Sequence, residues 1–200
     1  MDKKQQNIST LDLDTLWEQV YTVNPLVIIG SLDEDDIPNF APKHMAFPLG
    51  WKNYFGFVCT PRHSTYQNIK LTGEFTVTYP KPDQVIFASL TATRRREDDT
   101  KPELESIPRF PADGVDPFFL EEGYLYLECK LERFVDGFGV NSLILGEITA
   151  AHADDDFIRK PSRDDNEMIY NHPLMSYLYP DRFSVIRETQ SFPFPKKFKK

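Results

Sequence analysis

The run at residues 123–135, GYLYLECKLERFV, constrains the fold more than any other stretch. Leu125, Leu127, Cys129 and Leu131 alternate with Tyr126, Glu128, Lys130 and Glu132. A period of two marks a half-buried strand. Asp136-Gly137 is a hairpin turn signal. Residues 138–152 then return as the partner strand, with Leu143, Ile144, Leu145 and Ile148 as apolar bulk. The two halves form an antiparallel pair. The 16 Pro residues press the same way, because proline favours strands and loops over long helices.

Shorter strands are readable upstream. Residues 26–32 (LVIIGSL) are an apolar run of strand length, and Asp33-Glu34-Asp35-Asp36 reads as a tight acidic turn. Four carboxylates could also suggest a cation site, but calcium loops need a longer, regular ligand spacing. Residues 37–47 return as a strand bent at Pro42. Residues 54–60 alternate, with Phe55, Phe57 and Cys59 on one face. Ser64-Thr65-Tyr66-Gln67 has the capping-box pattern, Ser64 as the cap and Gln67 three later. Gly73 is placed to stop that helix, and residues 74–79 alternate again.

The two ends and the middle are less regular. Ser9 with Asp12 signals a helix start, and Leu13, Leu16, Trp17, Val20 and Tyr21 fall on one helical face before Asn24-Pro25. Residues 81–122 form a long irregular excursion, with a short helix or strand over 85–93. Within it, Arg94-Arg95-Arg96 precedes Glu97-Asp98-Asp99. That run reads as a solvated, self-neutralising charge cluster, with an anion site as the alternative. Asp154-Asp155-Asp156 reads as a turn, residues 164–171 as a short helix and 183–187 as an edge strand. Lys196, Lys197, Lys199 and Lys200 make a basic tail. One domain is expected over 1–200, with a core at about 20–157 and a C-terminal extension over 158–200.

Composition removes several classes of function. A net charge of −8 disfavours nucleic acid and anionic membrane surfaces as partners. Cys59 and Cys129 alone make no disulfide framework. No apolar run approaches the roughly 20 residues that span a bilayer, and MDKKQQNIST has no signal-peptide core, so a cytoplasmic protein is expected. His44, His63, His152 and His172 form no zinc spacing, so no metal site is expected. There is no nucleophile elbow and no P-loop. Gly137-Phe138-Gly139 lacks the third glycine of a dinucleotide fingerprint. No residue stands out as a catalytic acid, base or nucleophile.

The loop at residues 60–65 is different. It follows a strand and opens a helix, whose first N–H groups are unpaired and carry partial positive charge. Arg62 can donate a bidentate pair to a phosphate. Thr60, His63, Ser64 and Thr65 add further donors. The competing reading is a helix start that is capped and binds nothing.

A set of motifs in order resembles one family. Pro38-Asn39-Phe40-Ala41-Pro42 is similar to its P-N-x-A-P pattern. The residues from Arg62 to Ile69, with Thr72-Gly73-Glu74-Phe75, match R-x-x-T-x-x-N-I…T-G-E-F. Glu128-Cys129, Gly146-Glu147-Ile148 and His152-Ala153-Asp154 resemble its second half. Together these resemble the flavin-reductase-like family of FMN-binding split barrels. The resemblance implies a mostly β fold, a six-stranded antiparallel Greek-key split barrel with a few short helices, and a homodimer. It implies FMN as cofactor, with NAD(P)H as possible co-substrate and a small-molecule electron acceptor such as free flavin or iron. A flavin-binding sensor or carrier without NAD(P)H oxidation is the alternative. It implies that Arg62, Ser64 and Thr65 hold the phosphate, with Thr60 and His63 beside them. Ala41, Pro42, Lys43, His44 and Met45 would line the flavin ring. The family's Ser is replaced by His44; a His or Lys at that edge would tune the ring toward its anionic reduced form.

Overall fold

The computed structural model describes residues 8–96 and 100–195. The acidic run Glu97-Asp98-Asp99 and the basic tail lie outside them. In chain order the strands are β1 (Thr22–Pro25), β2 (Val27–Leu32), β3 (Pro38–Lys43), β4 (Ala46–Pro48), β5 (Tyr54–Cys59), β6 (Glu74–Pro80), β7 (Arg109–Pro111), β8 (Phe118–Leu120), β9 (Gly123–Phe138), β10 (Asn141–Ala153), β11 (Leu174–Tyr179) and β12 (Arg182–Ile186). Three α-helices intervene: α1 (Ser64–Thr72), α2 (Val85–Leu90) and α3 (Asp165–Asn171). No helix among the described residues is long and apolar enough to cross a membrane.

Seven strands form the main sheet, in the order β3-β2-β6-β9-β10-β5-β4. Every pairing in it is antiparallel. The sheet curls into a half-barrel. Inside the curl sit Val27, Ile29, Phe55, Phe57, Phe75, Val77 and Ile144, all fully buried or nearly so. Burying each Phe contributes on the order of 2–3 kcal/mol. A second apolar layer lies on the other side, where Ile28 and Phe40 meet Ala88 of α2 and Leu104, Ile107 and Leu120. So β2 is covered on both faces, and its sequence reads as a continuous apolar run rather than an alternation.

The excursion over 81–122 provides that outer cover. The β7–β8 hairpin is fastened to β6 by two buried threonines: Thr76 donates to the Phe118 carbonyl at 2.6 Å, and Thr78 accepts from the Leu120 N–H at 3.2 Å. Three further strands lie away from the main sheet, in a sheet ordered β1-β11-β12.

Several expectations are corrected. The main sheet has seven strands, not six, because the strand bent at Pro42 breaks into β3 and β4. The N-terminal helix shrinks to a 3-10 turn over Leu16–Glu18. Its apolar stripe has no core to bury against, since Leu13, Trp17, Val20 and Tyr21 are all exposed, and a short helix without packing is unstable. The hairpin turn falls three residues later than Asp136-Gly137. Phe138 pairs with Asn141, leaving Gly139-Val140 as the turn with Gly139 at a φ of 63°. Asp136 is held inside β9 instead, where its carboxylate accepts from Ser142 at 2.6 Å.

Candidate functional site

The end of β3 and the start of α1 lie side by side, and a buried polar network joins them. The Asn39 amide lies 3.3 Å from Thr65 Oγ1 and 3.4 Å from Ser31 Oγ. Asn68 donates to the same Ser31 oxygen at 3.2 Å. All four side chains are buried. Buried polar groups cost free energy unless paired, so this network fixes where α1 begins. The cap is His63, not Ser64, and no side chain caps the helix. Gln67 does not close a capping box; its amide donates to the Pro61 carbonyl at 2.6 Å. The His63 carbonyl receives Tyr66 and Gln67, so the N–H groups of Ser64 and Thr65 point out of the helix start.

Cations gather at this helix start. Arg95 donates to Asn39 Oδ1 at 3.3 Å, so the middle arginine of the triple run is a site neighbour rather than a solvated charge. Arg96 lies 3.9 Å from Glu103. Lys101 donates to the carbonyls of Thr91 at 2.5 Å and Phe40 at 3.3 Å. Burial, with Arg95 and Lys43 nearby, pushes its ammonium down to about 8, despite an opposing pull from Glu103. His63 is also held below the usual histidine range, by burial and then by Lys43 and Lys101. Lys43, His63, Arg95 and Lys101 therefore crowd one another in a chain of net charge −8. Mutual repulsion of this kind is relieved by an anion.

Arg62 stands on the other side of the loop. It is exposed, and no hydrogen bond or ion pair to it occurs among the described residues. It lines a cavity of about 470 Å³ with Thr60, Gln67, Lys70, Asp136 and Ser142. Thr60 ends the strand turn, its carbonyl accepting from the His63 N–H at 3.0 Å.

The next residues of the β3 end build a slot of a different kind. Ala41 and Pro42 lie in β3 opposite Ile29 and Ile28. The His44 ring packs on Tyr177 at 4.9 Å and stacks on Tyr179 at 5.3 Å between centroids. Burial, then Lys43, holds His44 below the usual histidine range, so it is neutral at pH 7. A cavity of about 350 Å³ opens there, lined by Trp17, Thr22, Asn24, His44, Met45 and Tyr179. No permanently charged side chain lines it. Of the ten residues singled out in the sequence, His44 and Met45 meet in this slot, and Thr60 and Arg62 line the other cavity. Lys43, His63, Ser64 and Thr65 stand at the cationic helix start. Lys101, Trp17, Tyr177 and Tyr179 were not singled out as site residues, and Arg95 entered only through the alternative reading of its run as an anion site.

The flavin reductase like domain matches residues 21–175, more than three quarters of the chain. The chain belongs to the flavin reductase like family. Among solved structures, a flavin reductase candidate with a split barrel domain from Shewanella frigidimarina superimposes with a TM-score of 0.78. It is 18% identical, over 92% of this chain and 94% of that one. Flavoredoxin of Desulfovibrio vulgaris gives 0.73 at 20% identity, over 97% and 98%. An FMN-binding protein from Thermus thermophilus gives 0.72 at 16% identity, over 94% and 99%. At these identities the superpositions establish the split-barrel fold alone. Within the flavin reductase like domain, β1 and most of the slot-forming residues fall inside the matched span, whereas Trp17, Tyr177 and Tyr179 fall outside it.

Proposed function

We propose that this chain binds FMN and passes electrons from a reduced nicotinamide through it to a small-molecule acceptor. One observation carries the reading: a cationic helix start and a neutral aromatic slot meet at adjacent residues, Lys43 and His44. A flavin mononucleotide needs both surfaces, a dianion cradle at one end and a flat apolar bed at the other.

The donor set suits the phosphate. Free N–H groups of Ser64 and Thr65, the Lys43 and Lys101 ammonium groups and the Arg95 guanidinium converge from three segments, with Arg62 on the outer side of the loop. At the ring end, His44 with Tyr177 and Tyr179 offers stacking surfaces, and Met45 offers a soft apolar wall. Bound FMN would supply the two-electron chemistry between NADH or NADPH and an acceptor such as free flavin or iron. The residues bind and orient. Neutral His44 adds no positive charge at the ring edge. No acid or base is required of the chain.

A homodimer accompanies this reading, because Trp17, Val23, Met45 and Phe47 leave an exposed apolar rim beside the slot. So does one domain over the whole chain, in the cytoplasm, where reduced nicotinamides are made. The test is anaerobic mixing of the FMN-loaded protein with NADH and with NADPH. Bleaching of the yellow band supports the reductase. A yellow protein that neither nicotinamide bleaches acts as a flavin carrier or sensor. Failure to take up flavin overturns the reading.

A further inference from the structure

Under the β7–β8 excursion lies a group that flavin binding does not use. Glu128 of β9 is 1% exposed. Its Oε1 accepts from the Asp113 N–H at 3.2 Å and lies 3.2 Å from His152 Nε2 of β10. Its Oε2 accepts from the Gly114 N–H at 2.7 Å. A Cβ on residue 114 would sit 2.8 Å from that oxygen, so a larger residue there would make the Glu128 carboxylate shift. Ligand atoms of Asp113, Glu128 and His152 all fall within 4.8 Å of one another.

These three face a cavity of about 570 Å³ whose lining also holds Lys81, Glu122 and Asp154. Lys81 is the sole Lys or Arg in that lining, and it is spent on Asp154 at 2.7 Å. Asp113, Glu122 and Glu128 are left with no Lys or Arg partner among the described residues. A concave surface with three such carboxylates and one imidazole is short of positive charge. Carboxylate exchanges readily between proton and cation, and imidazole is a borderline-soft nitrogen ligand; the mixed set suits first-row divalent ions.

We propose that Asp113, Glu128 and His152 form a binding site for a divalent first-row cation such as Zn²⁺. One ligand comes from the excursion and two from neighbouring strands of the sheet. The ion would thus tie the excursion to the barrel wall more firmly than the Glu128 hydrogen bonds do. Three protein ligands leave at least one position open to the cavity, for water or an oxygen of a small molecule. Binding needs the lone pair of His152 Nε2, so that nitrogen carries no proton in the metal-bound state. The three residues are 15 and 24 positions apart, which is why no sequence spacing announced them.

The site does not depend on flavin, and the test omits it. Chelator-treated full-length protein is titrated with Zn²⁺ alone, with Asp113→Asn and His152→Ala beside it; both residues are surface-accessible, so neither change empties the core. The expected result is one equivalent bound, a higher melting temperature with Zn²⁺, and at least tenfold weaker binding in each variant. FMN uptake stays at the wild-type level in both. No binding, or binding that both substitutions leave unchanged, overturns the site.

Discussion

Asn39 and Thr65 meet at 3.3 Å, and that contact couples the strand carrying the proposed ring-end residues to the helix carrying the proposed phosphate-end residues. Asn39 also serves Ser31 and Arg95. Asn39→Ala leaves buried partners unpaired and should cost about 1–3 kcal/mol of folding stability. Urea unfolding measures that loss, and flavin titration should show weaker FMN binding in the same variant. A variant as stable as the parent would mean that the network does not fix the helix start.

Lys101 gives the site a pH signature. Its ammonium is pushed down to about 8 in the flavin-free fold, against the ordinary lysine value in the unfolded chain. Between those values the unfolded chain holds a proton that the folded one has lost, so ligand-free stability gains from this group as pH rises through that window. FMN affinity runs the opposite way. The phosphate favours the ammonium form, so affinity should fall as pH climbs above about 8. Lys101→Met should bind FMN more weakly at pH 7 and lose that fall, measured by fluorescence titration across pH.

Arg62 is exposed, so any charge it offers a phosphate is screened by solvent. Arg62→Ala should weaken FMN by roughly tenfold, the scale of one charge-assisted hydrogen bond, and less than Lys101→Met does. An affinity equal to the parent's removes Arg62 from the phosphate site.

The two ends can be separated with riboflavin, which lacks the phosphate. Arg62→Ala and Lys101→Met should reduce the preference for FMN over riboflavin. Tyr179→Ala removes a stacked ring beside His44 and should weaken both ligands equally, by about 0.5–1.5 kcal/mol. A changed preference in Tyr179→Ala would place that ring near the phosphate instead.

Much of the barrel was legible in the sequence because its signals are local. The alternation in β9 and the glycine after α1 each belong to a few neighbouring residues, and each marks a real element. The N-terminal stripe misled for a definable reason: an apolar period says which residues share a face, not whether anything lies against that face. At the site, the helix-start residues were readable as one contiguous loop. Arg95 and Lys101 were not, since they meet Asn39 and Phe40 across 56 and 61 positions. Tyr177 and Tyr179 reach His44 only because β11 pairs with β1, an arrangement made by tertiary packing.

The proposed site holds flavin between the helix start and the aromatic slot. Anaerobic titration of the purified chain with FMN, followed by NADH or NADPH, tests it most directly. Uptake of about one FMN per chain, then loss of its yellow absorbance on adding a reduced nicotinamide, is the predicted result. A protein that takes up no flavin at any concentration near its own would contradict it.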